Sequence, residues 1–599
     1  MAQGPVEIFP SRLLIVGTLS VSSKTRYGMT TRHVPYYLFT PYDRNLPPMR
    51  VSLSTTSQDN LLVVVESDTS EGVRAAGSVA LPRGLVVQVL GSSGDREAES
   101  KALKWEAVPF PNWPDPEKPA GAWIASELQE GRERVASVLA SRPHLDWPCT
   151  FSIDSEGTQC IDDCISVRAG TSEGEWEFFY AVTDATPMIR EGGQLEARAR
   201  EFGETLITGA GGGQYFPLLP PSLAFSECRL LPGELRPALV FFFTLKHIPG
   251  EALESGDCVT WKPQLTPVVI KNQRSFTYST AIQAIDEAGW GREGAALRTA
   301  ISLLRKDIGL VESYNMLGYV ENQDSPHSWI QTLSLVYNSV AGKIISGVGD
   351  GRGLLLLQTP SSSSRLRDLA AHPELLRAHP DLCWLKYEES RLAPPPAAAA
   401  DLVGCSSCIA PATSPLRRWG DLENQRLLLS TYVGEAVPPP PKCTYKSEYY
   451  VALARWLNSR RQAMRRHGRD TFFLMALNDS CGSLITVTAL FLRLRGKEEE
   501  EEEEEGGGGE VGERGGQEKH ETERDGAIMT EGEFWVPSWK RLICLKLRVI
   551  REEVWGGRFL RADESGDYSL NYGEEVSLNA FADLRSKNWK RSMVFSIKK

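Results

Sequence analysis

Residues 151–167 read FSIDSEGTQCIDDCISV, an apolar strand-forming opening followed by three aspartates, Asp154, Asp162 and Asp163. Carboxylates this close repel one another unless positive charge sits between them. Hard divalent cations such as Mg²⁺ supply that charge; they prefer oxygen and often take one or two carboxylates together with waters and a substrate phosphate. Asp162 and Asp163 are adjacent, so a regular strand would aim them at opposite faces. Either a turn or bulge directs both inward, or one binds metal while the other orients substrate or a neighbouring group. Taken alone, an Asp-Asp pair reads as a surface turn whose side chains bond their own backbone. The flanking chain decides between these readings.

Downstream comes a strand-like run, EFFYAVTDATPMI, carrying Asp184, then a helical LEARAREFGETL and the segment PLLPPSLAFSECRLLPGELRPALVFFFTL. Further on, residues 412–426 read ATSPLRRWGDLENQR. Here Ser414 is expected to cap a helix entered by Pro415 at its first position. A helix N-terminus and the guanidiniums of Arg417 and Arg418 would then face an anion, which suits an RNA phosphate.

Together these segments resemble the RNase II (RNB-domain) exoribonucleases of the eukaryotic exosome type. The first resembles Ile-Asp, five residues, Asp, any residue, Asp-Asp, matching at Ile153, Asp154, Asp162 and Asp163. The second matches Thr-Ser-Pro-Ile-Arg-Arg-Tyr-x-Asp-Leu at Thr413, Ser414, Pro415, Arg417, Arg418, Asp421 and Leu422. SFTYSTAIQAI (275–285) and WIQTLSLVYNSVAGKII (329–345) fit later family helices in position. The resemblance implies Mg²⁺-dependent (or Mn²⁺-dependent) 3′-to-5′ hydrolysis of single-stranded RNA to nucleoside 5′-monophosphates. Asp154, Asp162, Asp163 and Asp184 would hold metal or orient water; two metals about 4 Å apart can activate water and stabilise the leaving oxygen. Asp162, Asp163 and Arg417 would be catalytic, and Ser414, Arg417 and Arg418 would bind RNA.

The chain also departs from the pattern. Cys160 stands where the second aspartate belongs and lacks its hard oxygen. The family's His-Ile-Ala-Asp appears as Ala181-Val182-Thr183-Asp184, Ile207 replaces a base-stacking Tyr, and Gln331 and Thr332 replace a Glu pair. An acidic position near residues 464–466 is also missing. These losses support an alternative, a catalytically degenerate RNB protein that binds RNA or scaffolds an RNA-decay complex. A metal-dependent hydrolase of another phosphodiester needs only the carboxylates and is the third reading.

Around this centre the sequence predicts an α+β multidomain protein. Residues 1–110, with LLIVGTLSV, YYLFT, RVSLST, LLVVVES and GLVVQVL separated by turn residues, read as an OB/cold-shock β-barrel. A Pro-rich linker and helix cover 111–146, and a mixed α/β RNB-like domain covers 147–435. Residues 436–599 read as a basic helix, YYVALARWLNSRRQAMRRHGR, and an S1-like β-barrel in which LMALN is the first strand. A Glu/Gly-rich tract at 497–527 interrupts that barrel and reads as a disordered insert. The net charge of −11 excludes a wholly basic nucleic-acid coat but not a local basic channel. Cys405 and Cys408 form a lone CxxC with no second metal-binding pair. No apolar run is long enough to span a membrane, no nucleotide-binding GxxxxGK[ST] loop occurs, and the start does not read as a signal peptide. The expected setting is therefore intracellular, in cytoplasm or nucleus, with an organelle still open.

Overall fold

The computed structural model describes residues 14–43, 46–67, 81–108, 113–208, 215–247, 258–307, 325–358, 390–393, 395, 409–432, 445–479, 484–494, 528–539, 541–549, 570–571, 573–582 and 593–598. The Cys405/Cys408 pair and the 497–527 tract lie outside them. The chain divides into two compact units: Met1–Val89, Lys104–Pro360 and Tyr387–Arg465 form one, and Leu90–Leu103, Ser361–Lys386 and Arg466–Lys599 the other.

The five predicted N-terminal strands all form: β1 (Leu14–Leu19), β2 (Tyr36–Pro41), β3 (Met49–Ser52), β4 (Leu61–Ser67) and β5 (Arg83–Ser92). They close into a barrel in the order β1-β2-β3-β5-β4, a five-stranded closure of the OB kind. The β3–β5 pairing is parallel and sets Arg50 opposite Arg83. Leu19, Phe39, Val51, Val63 and Val65 fill the interior. Gly17 is required here, since a Cβ at that position would lie 2.2 Å from the Thr40 carbonyl oxygen and 2.8 Å from the Phe39 ring.

The central sheet contains β6 (His144–Leu145), β7 (Cys149–Asp154), β8 (Asp163–Ala169), β9 (Glu175–Thr183), β12 (Leu235–Lys246), β13 (Cys258–Lys271) and β14 (Arg274–Thr277). Its order is β14-β7-β8-β9-β12-β13-β6. The inner pairs are antiparallel, while β14 runs parallel to β7 and β6 to β13. A separate short pair joins β10 (Leu206–Ile207) to β11 (Tyr215–Phe216), and another joins β15 (Leu355–Gln358) to β16 (Ser390–Ala393).

The run FFYAV in β9 is buried on both faces, as its unbroken apolar character demands. Phe178, Tyr180 and Val182 face one core, which is shared with buried residues of the helices Ala281–Glu287, Gly291–Asp307, Pro326–Val348 and Trp419–Thr431. Phe179 and Ala181 face another, with Trp147, Ile161 and Leu230. Ala181 is thus a packing residue at full burial.

Helices are α1 (Arg96–Ala107), α2 (Ala122–Ser141), α3 (Gln194–Phe202), α4 (Ala281–Glu287), α5 (Gly291–Asp307), α6 (Pro326–Val348), α7 (Trp419–Thr431) and α8 (Ser447–Asp479). Ser325 and Ser328 make a reciprocal capping box at the start of α6, with Pro326 in its first turn. Every residue of α7 from Trp419 to Leu429 is buried. Several of its polar members are held by specific partners, as buried polar groups usually are. Asn424 brackets Leu354 and reaches the Pro411 carbonyl, Gln425 Nε2 donates to the Thr183 carbonyl at 3.1 Å, and Arg426 binds Glu423 and the Ile189 carbonyl, each at 2.9 Å.

The second unit holds a sheet of β17 (Ile485–Leu494), β18 (Ile528–Val536), β19 (Arg541–Val549), β20 (Glu575–Ala582) and β21 (Met593–Ile597). Its order, β19-β18-β17-β20-β21, is that of the N-terminal barrel cut open between the third and fifth strands. Among the described residues it is therefore an open sheet with the strand order of an OB barrel. LMALN (474–478) is not a strand: it continues α8, where Leu474 and Leu477 are buried at helical spacing. A short apolar run alone does not separate the two. Among the described residues no helix is long and apolar enough to cross a membrane.

Candidate functional site

The aspartate segment is a strand, a turn and a second strand. Asp154 ends β7 opposite Thr277 of β14, and its carbonyl accepts from the Tyr278 amide at 3.0 Å. The chain reverses through Ser155–Thr158, with Gly157 at φ +73°, a conformation that side-chain-bearing residues rarely adopt. It returns through Cys160–Asp162 into β8. Asp162 lies just before this strand and Asp163 is its first residue. The two carboxylates have different partners. Asp162 Oδ1 accepts from the Leu416 amide at 3.1 Å, and its Oδ2 lies 3.4 Å from Arg417 Nε. Asp163 sits against Tyr180, whose hydroxyl hydrogen-bonds Ser334 Oγ at 2.8 Å. The two adjacent carboxylates therefore face different partners.

Burial and mutual repulsion dominate the electrostatics. The Asp154 carboxyl is pushed up to about 7, first by burial and then by Asp162, with Ser152, Arg229 and Arg417 offsetting part of this. Burial, Asp154 and Asp162 together hold Asp163 well above the ordinary carboxylate range. Asp162 is raised by burial although Arg417 and the Leu416 amide oppose the shift. Asp154 Oδ2 and Asp163 Oδ2 are buried with no hydrogen-bond partner among the described residues. Buried carboxylate oxygens without partners are the kind of donor a hard divalent cation takes, with waters and a phosphate completing its shell.

Among the described residues, no group of three His, Cys, Asp or Glu side chains is arranged to hold a metal ion. Cys160 is buried, and its Sγ accepts a contact from the Tyr215 hydroxyl at 3.7 Å. Burial and Asp162 push its thiol up to about 12, so it remains protonated and soft where a metal would need an ionised, hard donor.

In the metal-free protein this cluster makes stability depend on pH. Because the folded-state pKa of Asp154 lies above its unfolded value, the folded chain keeps a proton that the unfolded chain has already released. The stabilisation is complete below about pH 4 and is lost as pH rises towards 7, at up to about 1.4 kcal/mol per pH unit. Urea midpoints of metal-free protein between pH 5 and 8 are expected to fall with pH, and less steeply in Asp154→Asn. Parallel curves for the two proteins would refute the assignment.

Asp184 is not part of the cluster. Its Oδ2 forms a buried ion pair with Arg142 Nη1 at 2.8 Å, and its Oδ1 takes the Thr186 amide at 3.0 Å and the Thr186 hydroxyl at 2.5 Å. This aspartate joins the end of β9 to α2 and starts the turn that follows. Its expected metal role is corrected to a structural one.

The Arg417 segment differs from the expected capped helix. Residues 415–417 form a turn, and α7 begins only at Trp419 with Arg418 as an N-cap that makes no side-chain cap bond. An antiparallel bridge between Arg418 and Glu204 delays the helix. Ser414 Oγ instead accepts from Arg417 Nη2 at 2.9 Å, while the Ser414 amide donates to Asp421 Oδ2 at 2.9 Å. Arg418 Nη2 is held on the same Asp421 oxygen at 2.7 Å, so Arg418 braces the turn. The Arg417 side chain, 44% exposed, is the group that reaches solvent.

Of the other predicted positions, Ile207 is exposed and pairs across the strands with Tyr215. Thr332 accepts from Arg305 Nε at 2.9 Å, and Gln331 is half-buried on α6. On the basic helix, Arg460 is neither solvated nor available to RNA; it is buried on the carbonyls of Glu106 and Phe202.

Three site residues went unnoticed in the sequence. Tyr278, in SFTYSTA, packs edge-on to His327, and its hydroxyl is pushed up by burial and by Asp163 and Asp154. Tyr215 covers Cys160. Arg229 acts on both Asp154 and Cys160. Tyr278 and Arg229 stood within quoted segments, but nothing local gave either a role or marked Tyr215.

The RNB domain family model matches residues 142–373, and that of the Dis3-like cold-shock domain 2 (CSD2) matches 36–107. The human 3'-5' exoribonuclease HELZ2 is 30% identical over 173 residues, which is 29% of this chain and 6% of that protein. Exoribonuclease 2 of Enterobacter sp. (strain 638) is 25% identical over 422 residues, 61% of each protein. The chain thus spans less than two thirds of either relative. Among solved structures, apo Mycoplasma genitalium RNase R aligns with a TM-score of 0.58 at 12% identity, covering 98% of this chain and 90% of that one. Yeast Ssd1, described as a pseudonuclease, aligns at 0.63 and 12% identity, covering 98% and 83%. At such identity these two similarities speak for the fold alone.

Proposed function

Since the chain belongs to the RNB family, we propose that it is a 3′-to-5′ exoribonuclease that hydrolyses single-stranded RNA to nucleoside 5′-monophosphates with a divalent cation, Mg²⁺ or Mn²⁺. The observation that carries this reading is the pair of buried, unpartnered oxygens on Asp154 and Asp163 beside the half-exposed Arg417. Asp154 and Asp163 would hold the cation, which supplies Lewis acidity at the phosphate and a lowered pKa for the attacking water. Arg417, steadied by Ser414 and Asp162, grips the non-bridging phosphate oxygens. Asp162 also holds the turn at Leu416 in place, so the arginine and the carboxylates keep a fixed separation. Water adds to phosphorus, the bond to the preceding 3′ oxygen breaks, and the shortened strand keeps a 3′ hydroxyl.

The test is incubation of 5′-labelled single-stranded RNA with Mg²⁺ or Mn²⁺. Progressive shortening with monophosphate release is expected. Arg417→Ala should weaken RNA binding by about tenfold to a hundredfold, the loss of one charge-assisted contact; unchanged affinity in a filter-binding titration would remove Arg417 from the interface.

The thiol at Cys160 favours a second reading, an RNA-binding protein without hydrolysis that serves an RNA-decay complex. RNA retention with no shortening in either metal would establish it.

A further inference from the structure

Cys160 leaves the carboxylate cluster without the hard ligand an aspartate would supply, and Arg229 lies alongside the segment that carries it. The Leu230 amide donates to the Ile161 carbonyl at 3.1 Å, which lays Arg229 along the Cys160–Asp162 return strand. Its Nη2 donates to the Thr158 carbonyl at 3.3 Å, while the Thr158 hydroxyl donates to the Cys160 carbonyl at 3.0 Å. The Arg229 carbonyl is itself held by Arg236 Nε at 3.2 Å. Arg229 Nε is buried without a hydrogen-bond partner among the described residues. The charge of Arg229 acts on both Asp154 and Cys160, as does that of Arg417. Arg229 has no carboxylate partner among the described ion pairs, unlike Arg142, Arg418 and Arg426.

We propose that the Arg229 guanidinium stands in for a second divalent cation, so that the cleft meets the RNA phosphate with one metal ion and two arginines, Arg229 and Arg417. This deepens the exoribonuclease reading and rests on it. A guanidinium is suited to that place because it stays charged, presents a planar fork to phosphate oxygens and needs no hard ligand at position 160.

Two measurements test it. The first is RNA affinity against salt in the presence of chelator. Arg229→Ala should reduce the slope of log K against log salt by about 0.7, one phosphate contact to a single strand, while Arg229→Lys should keep it. A structural role would change affinity or melting temperature without changing that slope, so an unchanged slope overturns the proposal. The second is the number of Mn²⁺ ions bound per chain, by electron paramagnetic resonance without RNA. One ion is expected in the wild type and in Arg229→Ala, and two in Cys160→Asp/Arg229→Ala. Two ions in the wild type would overturn the proposal. No ion in the wild type would instead overturn the metal assignment to Asp154 and Asp163, and the salt slope would then decide alone whether Arg229 meets phosphate.

Discussion

Asp163→Asn is expected to suppress nucleotide release by about a thousandfold or more, and to raise the melting temperature of the metal-free protein at neutral pH. This substitution relieves a conflict, as replacement of a strained functional residue often does. Asp163 is held well above the ordinary carboxylate range by burial and by Asp154 and Asp162, and one of its oxygens has no partner. Asparagine keeps the shape and removes the charge. It also removes a hard anionic ligand that a divalent cation needs. RNA binding should survive, because Arg417 is positioned by Ser414 and Asp162, independently of Asp163. Hydrolysis and thermal melting of the same preparation decide the matter. Wild-type turnover in the variant would eliminate the cation site, and a large drop in melting temperature would show that Asp163 supports the fold.

Arg142→Met is expected to be the most destabilising single change in the RNB-type unit, at about 3–5 kcal/mol. The pair with Asp184 is almost wholly buried, with side-chain exposures of 6% and 0%. Removing the arginine strands an anion in the core; Asp184→Asn strands the cation. The double variant Arg142→Met/Asp184→Asn should recover part of the loss, since neither charge then remains. Urea unfolding across this cycle measures the coupling. Mn²⁺ affinity of Asp184→Asn provides the discriminating check, because a structural aspartate leaves it unchanged. Lost Mn²⁺ affinity at undiminished stability would return Asp184 to the metal set.

The sequence carries local periodicity well and distant pairing poorly. The barrel strands could be read because their apolar alternation and turn residues are local. Asp184 could not be read correctly. Its partner Arg142 comes from the end of α2, and nothing in either neighbourhood announces the other. The same holds for Tyr215 over Cys160 and for Arg229 beside Ile161, contacts that exist only after the sheet has formed. At Ser414, capping preference and the proline favoured an early helix, yet a single bridge from Arg418 to Glu204 overrode both. LMALN failed for a different reason: five mostly apolar residues fit a strand or a buried helical turn equally well, and the length of α8 decided it.

The burial of α7 on every side has a consequence for how the protein would meet a flexible ligand. A helix whose asparagine, glutamine and arginine are each tied to a different part of the unit has no independent freedom, and the turn that precedes it inherits that stillness. The conformational entropy of the Leu416–Arg417 backbone is therefore surrendered during folding, before any strand arrives. On the proposed reading, binding then has to order the nucleic acid and the exposed tip of Arg417, beside an Arg229 already held on Thr158. On that reading such a grip would follow the recurring phosphate of a chain more than the identity of its bases, and would be released and re-formed with each step along it.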